Sequence, residues 1–309
     1  MKKAIVFATA TTCGLLGISS AQAQTTVYSD DFATDSSLSS SYLNINNIST
    51  SANEWTFDSG DSLQLNDTVS GKVDDLAGQF SAVTLAQAGD YVSFVVNFYS
   101  PTLGQTGSAG DILFALDNSG GTPFGTTPES ATQTTGATAG YLGDLGQIGF
   151  NQTPKTGTKF YAKTGTGAND LSYYSDATPD TQLSTSQPNA SNAILANSDH
   201  YTLTYTIMAL NAGASQEQIT AQIYDNTLGV MEDSFSIGGT NGATYITPTT
   251  TYDTFDVGVY SGSETSGYNL DLTGVSVLTN VNSVPEPSTL AIAGIGLGVV
   301  AFARRFRRQ

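Results

Sequence analysis

Between its two apolar ends this chain has no cysteine, no arginine and a single histidine. Cys13 and the four arginines all fall outside residues 24–284, and His200 is the one imidazole. Without cysteine there are no disulfide staples, and with one histidine there is no zinc centre of the Cys/His kind. A serine nucleophile needs a base. The only candidate, His200, stands at the start of a predicted strand, and no G-x-S-x-G elbow accompanies it. A glycine-rich phosphate loop with its lysine is missing too. Residues 24–284 carry four lysines against 26 acids, a balance of −22. Nucleic-acid binding needs cations against phosphates, so it is excluded, and anionic lipid headgroups are unsuited for the same reason. A surface this negative suits solubility, divalent cations and neutral glycans.

Long runs of helical period are also missing from residues 24–284, and alternation takes their place. Val92, Phe94, Val96 and Phe98 share one face of Tyr91–Tyr99, and Tyr201, Leu203, Tyr205 and Ile207 alternate with threonines after His200. Ile112-x-Phe114-x-Leu116, Ile219-x-Ala221-x-Ile223 and Phe255-x-Val257-x-Val259 repeat the scheme. Apolar residues two apart, rich in β-branched and aromatic types, predict strands with one buried face. Parity changes at Gly274, after Leu270 and Leu272 and before Val275 and Val277, which predicts a bulge keeping both pairs on one face. Residues 118–199 are rich in Gly, Thr, Ser and Asn and predict long surface loops. Within them Pro154-Lys-Thr-Gly-Thr echoes Ala162-Lys-Thr-Gly-Thr, as in a hairpin with similar arms. No repeat of 20 to 50 residues is present, which disfavours a solenoid or propeller.

The pattern predicts an all-β antiparallel sandwich over residues 24–282. Tyr28-Ser-Asp-Asp-Phe32 at the start, with Phe255-Asp-Val-Gly-Val-Tyr260 and Leu270–Val277 at the end, resembles the concanavalin A-like lectin/glucanase jelly rolls. That resemblance implies that the first and last strands are neighbours. Catalytic members of the family carry alternating acids on one strand, Glu-x-Asp-x-Glu. None is present: Glu54 and Asp58 are four apart, and Glu232 and Asp233 are adjacent and point to opposite faces of a strand. No catalytic residue is assigned.

Two weaker sites remain. Asp30 and Asp31 near the first strand and Asp271 on the last converge if those strands pair, and would hold a structural calcium ion. Asp58-Ser-Gly-Asp61, Asp74-Asp75 and Asp117-Asn118 are loop alternatives. For glycan stacking the candidates are Tyr141, Tyr161, Tyr173 and Tyr174 in the loop-rich middle, while Trp55, alternating with Phe57, reads as core. Lys155, Lys159 and Lys163 read as solvated edge residues.

The ends are explicit. Lys2 and Lys3 precede an apolar stretch to Ile18, and Ala21-Gln22-Ala23 offers a cleavage site before Gln24, so residues 1–23 read as a signal peptide that takes Cys13 with it. At the other end Pro285-Glu286-Pro287 fixes an extended backbone. A predicted apolar helix over 288–303 follows, then Arg304, Arg305, Arg307 and Arg308, a basic cluster that stays cytoplasmic. Those 16 residues span about 24 Å at ~1.5 Å per residue, short of a hydrocarbon core of ~30 Å, as in a transient anchor.

The tripartite tail, residues 283–309, resembles the PEP-CTERM sorting signal of bacterial surface and secreted proteins. The resemblance implies recognition by an exosortase, a membrane protease-transpeptidase. It also implies passage through the inner membrane and delivery to the outer surface or exopolysaccharide matrix. The expected function is non-enzymatic, structural or adhesive, with a lectin-type carbohydrate-binding module as the alternative and a polysaccharide hydrolase or lyase as the remote one.

Overall fold

Alternation at period 2 becomes sixteen strands, with no helix among the described residues. The computed structural model describes residues 23–33, 42–46, 55–58, 62–66, 73–99, 110–124, 129–130, 141–150, 158–164, 181–183, 195–196, 198–238, 248–260 and 269–281. The predicted signal segment before Ala23 and the whole sorting tail lie outside them. Gln24–Val281 forms one compact unit. No helix among the described residues is long and apolar enough to cross a membrane.

Sheet A runs β14 (Val230–Ile237), β13 (Glu217–Asp225), β12 (His200–Ala209), β6 (Tyr91–Tyr99), β16 (Asn269–Thr279), β4 (Ser62–Asn66) and β3 (Trp55–Asp58). The first strand, β1 (Thr25–Asp30), pairs antiparallel with the last, β16, as the jelly-roll resemblance implies. Sheet B runs β11 (Thr181–Gln182), β10 (Thr158–Thr164), β9 (Leu142–Phe150), β7 (Gly110–Asn118), β15 (Thr251–Tyr260), β5 (Val73–Thr84), β2 (Tyr42–Asn46) and β8 (Glu129–Ser130). Every pairing is antiparallel except β2 with β8. On β16 the register against β6 shifts between Leu272 and Gly274, and Leu270, Leu272, Val275 and Val277 all reach the core. The bulge therefore sits at the glycine, where a residue without a side chain opposes the kink least.

Aromatic pairs bind one sheet to the other. Phe94 of sheet A lies 4.7 Å from Phe255 of sheet B, Tyr205 lies 4.8 Å from Phe114, and Phe235 lies 5.3 Å from Phe160. Two glycines make room for these rings. Gly78 stands opposite Phe255 and Gly146 opposite Phe114, and a Cβ at either position would collide with the ring it faces. Trp55 is buried in the same core and Phe57 packs half-buried against it, as their alternation predicts.

Among its described residues, the span 118–199 contributes β9 and β10, a hairpin toward the β11 edge of sheet B, and much of the rest of that span lies outside the described residues. The apolar content of β9 is thin because Gly143 and Gly146 stand where a Cβ would strike Asp117 and Phe114. Of the repeated Lys-Thr-Gly-Thr, Ala162-Lys-Thr falls on β10, and Pro154-Lys-Thr-Gly lies outside the described residues.

Gly78→Ala should destabilise the protein by about 1–3 kcal/mol through overpacking. In a Phe255→Leu background the same change should cost at least ~0.5 kcal/mol less, because the colliding ring is gone. Chemical denaturation of the four variants checks this, and strict additivity would refute the close approach.

Candidate functional site: the covered face of sheet B

In a sandwich the outer face of one sheet is where a ligand can lie, and in sheet B that face is closed. Phe255, Val257 and Val259 of β15 point into the core, so Thr254, Asp256 and Gly258 point outward. Register extends this across the sheet. One row reads Tyr161, Leu145, Ala115, Asp256, Ala77 and Leu43, and the next toward the β15 N-terminus reads Lys163, Gly143, Asp117, Thr254 and Gln79. Leu145, Ala115, Asp256 and Asp117 have no exposed surface. Part of the cover is the segment after β7: Phe124 and Tyr141 pack on Leu43 and Ala77, and Tyr161 packs on Ala115 and Leu145. The Tyr141 hydroxyl and the Gln79 amide both donate to the Thr122 carbonyl, at 3.2 and 2.7 Å. Asp253 holds the turn beneath it, accepting from the Ser119 N–H at 2.6 Å and the Ser119 hydroxyl at 2.7 Å.

The face is acidic as well as covered. Asp75 stands opposite Gly258 and Asp117 opposite Gly143, and in each case a glycine Cβ would strike the carboxylate. The two glycines let the acids lie flat over neighbouring strands. Asp117 thereby leans onto β9, the strand beside Lys163, which is itself buried. Gln147 donates to Asp111 at 3.0 Å in the following rows. Lys163 was expected among solvated edge lysines. Its place opposite Gly143 in the buried row on the covered face of sheet B is the reason it is not.

The residues nominated from sequence are not brought together. Tyr141 and Tyr161, expected as glycan platforms, are buried beneath and within the cover of sheet B, with no ring face open to a sugar. Tyr173 and Tyr174 lie outside the described residues. Asp30 faces inward beside Tyr28 and accepts from Phe32 N–H at 2.9 Å and Tyr42 hydroxyl at 2.8 Å. Asp271, between core residues Leu270 and Leu272, faces outward and accepts from Gln64 at 2.8 Å. Asp30 stands opposite Val275, so the two acids occupy opposite faces about 13 Å apart along β16, at ~3.3 Å per residue. Asp31 accepts from Ala33 N–H at 3.2 Å. Strand pairing was foreseen correctly, but not the parity that separates the side chains. Among the described residues no group of three or more His, Cys, Asp or Glu side chains is arranged around a metal. Glu54 and the Asp58 side chain lie outside the described residues. His200 is exposed and stacked on Tyr99 at 5.4 Å, a strand-end histidine.

Burial also governs the titrating groups. It raises the Tyr42 phenol far above its usual range, with Tyr28 and Asp30 adding to the effect. Burial pushes Tyr201 up to about 12 against a lowering hydrogen bond to the Ala196 backbone, with Asp225, Asp199 and Glu232 raising it further. Asp233 is raised by burial, partly offset by the Thr158 hydroxyl, which donates across from sheet B at 2.8 Å, and by the Ser234 N–H. A carboxyl raised in the folded state contributes stability below its unfolded value of 3.8, and that stability is lost as the pH rises through the folded value. Asp233→Asn should therefore gain in melting temperature relative to the parent between about pH 3 and about pH 7. A gap independent of pH would refute it.

Residues 283–308 match the PEP-CTERM protein-sorting motif. It marks the chain for export and for sorting at the membrane to the cell surface. No curated protein matches the chain. Solved structures similar to it include lectin II from Ulex europaeus, 7% identical over 83% of this chain and 100% of that one, with a TM-score of 0.45. Peanut lectin is 9% identical over 82% and 97%, with a TM-score of 0.43. The CBM2 module of the evolved Dit of Lactobacillus casei BL23 phage J-1 is 11% identical over 84% and 97%, with a TM-score of 0.46. Likenesses this distant carry no statement about a ligand.

Proposed function

We propose that this chain is a non-enzymatic surface or matrix protein that an exosortase processes near Pro285-Glu286-Pro287 and releases from its inner-membrane anchor. The observation that carries the reading is the motif match over residues 283–308. Replacing Pro285, Glu286 and Pro287 by alanine should trap the protein in the inner membrane, seen by fractionation. Mass spectrometry of the surface form should find the apolar tail gone. Unchanged export of the variant, or an intact tail on the surface, would overturn the reading.

A second reading, adhesion to neutral polysaccharide, is supported by the outer face of sheet A. Its outward positions on β6, β12 and β13 carry Thr, Ser, Gln, Asn, Tyr, Val and Met after His200, and no acid. Hydroxyls and amides pair across the strands, Ser93 with Thr206 at 2.8 Å and Thr202 with Asn97 at 2.8 Å. In a chain of such negative charge an acid-free hydroxyl face suits a neutral glycan. Thr204→Asp should weaken retention on the producing organism's exopolysaccharide severalfold without lowering the melting temperature, and equal retention would refute this use of the face.

A further inference from the structure

Both ends of the compact unit Gln24–Val281 leave the sandwich at the same place. β1 starts at Thr25, which pairs with Thr279 at the end of β16, and Thr279 also stands opposite Val92 near the start of β6. Hydrogen bonds fix the exit of the last strand. The Asn280 amide donates to the Gly89 carbonyl at 2.8 Å, and its oxygen accepts from the Tyr91 N–H at 2.8 Å. The Thr279 hydroxyl donates to the Tyr91 carbonyl at 2.6 Å. Two turns complete this end: residues 85–90 join β5 to β6, and residues 210–216 join β12 to β13. Gly89 N–H to the Ala209 carbonyl and Gly213 N–H to the Ala86 carbonyl, both 2.8 Å, tie the turns together.

This end presents no charge to water. Among the described residues 23–26, 84–91, 209–217 and 278–281 the charged side chains are Asp90 and Glu217, and both are buried. Asp90 is turned onto the Ala86 and Gln87 N–H groups. Exposed instead are small and amide residues such as Gln24, Ala86, Gln87, Ala88, Ala212 and Ser215. The opposite end of sheet A differs, with His200 exposed and Asp199 and Glu232 half-buried. In residues 24–284, which carry −22, an uncharged end runs against the composition.

Chain length says what this end meets. Six residues, 282–287, separate Val281 from the start of the predicted apolar helix at Ser288, a reach of at most about 25 Å at ~3.6 Å per residue. β16 alone, at ~3.3 Å per residue, puts the opposite end of sheet A about 33 Å further off. Anionic headgroups repel a domain of this charge within about a Debye length, ~10 Å at 0.1 M salt. An exposed carboxylate therefore costs most at the end held nearest the membrane, and that end has none. We propose that residues 85–90 and 210–216, with the exits at Thr25 and Val281, form a membrane-facing surface that rests against the lipid headgroups of the inner membrane until the protein is released. The inference rests on the anchoring by the tail proposed above.

Headgroup nitroxide lipids, which quench a fluorophore only at short range, provide the test. The full chain carrying Cys13→Ser receives one fluorophore at Ala88→Cys, at Ala212→Cys or, for the far end, at Leu228→Cys. It is then reconstituted in vesicles of phosphatidylethanolamine and phosphatidylglycerol. Quenching should be severalfold stronger at 88 and 212 than at 228. Gln87→Glu with Ala212→Glu should lower quenching at 88 severalfold on these vesicles and leave it unchanged on phosphatidylcholine ones, and equal loss on both would overturn the role of charge. The signal needs anchoring and not cleavage, so an unprocessed chain still gives it. A chain that floats with the vesicles but is quenched equally at both ends would overturn the surface alone. One that does not float would overturn the anchor and the surface together. Weak quenching at all three positions, with processing in cells slowed severalfold by Gln87→Glu and Ala212→Glu, would overturn the lipid assignment and give this end to the exosortase.

Discussion

The two sheets are held by an aromatic seam, and the ring of Phe255 is its centre. Tyr28, Phe80 and Phe94 lie 5.3, 6.4 and 4.7 Å from it, drawn from β1, β5 and β6. With no disulfide available, cohesion between the layers comes from apolar burial and ring packing. That is why glycines recur opposite aromatic residues. A flat sheet accepts a ring lying across it only where the neighbouring strand has no side chain. The opening and closing strands serve the same seam, since β1 pairs with β16 and brings Tyr28 onto Phe255.

The second constraint is charge. A chain with 26 acids and four lysines in residues 24–284 would conventionally keep its carboxylates in water, yet many are buried. Some act as local fasteners. Asp90 accepts from the Ala86 and Gln87 N–H groups at 2.8 Å each, and Asp225 from those of Thr227 and Leu228 at 2.7 and 2.8 Å, closing turns at the strand ends. Such bonds compensate the lost hydration of a carboxylate with directed N–H groups. Others lie flat on sheet B beneath its cover, or between the sheets beside Tyr252. The acidity that keeps the exterior soluble is thus also built into the interior.

These constraints divide the surface. Sheet B has its outer face closed and acidic, and the described part of sheet A from β6 to β13 has its outer face open, hydroxyl-rich and free of acids. The hydroxyl and amide pairs across strands also tie that face together.

What the sequence by itself determined is what depends on spacing along the chain. Period-2 alternation placed β6, β7, β12, β13 and β15 and their core faces. The parity change at Gly274 located the bulge, and the order of Pro-Glu-Pro, apolar run and arginines identified the tail. Sheet B was only half legible, because Gly143 and Gly146 thin the apolar signal of β9 for reasons that lie on other strands. Tertiary structure alone decided which acids meet. Asp30 and Asp271 sit on paired strands yet face opposite ways, while Asp144 and Glu217, 73 residues apart, reach the same phenol from opposite sheets. It also decided that Tyr141, Tyr161 and Lys163 are interior. Strand alternation says that a side chain has one of two faces, but which face is covered is set by where the connecting segments fold, and no local pattern carries that information.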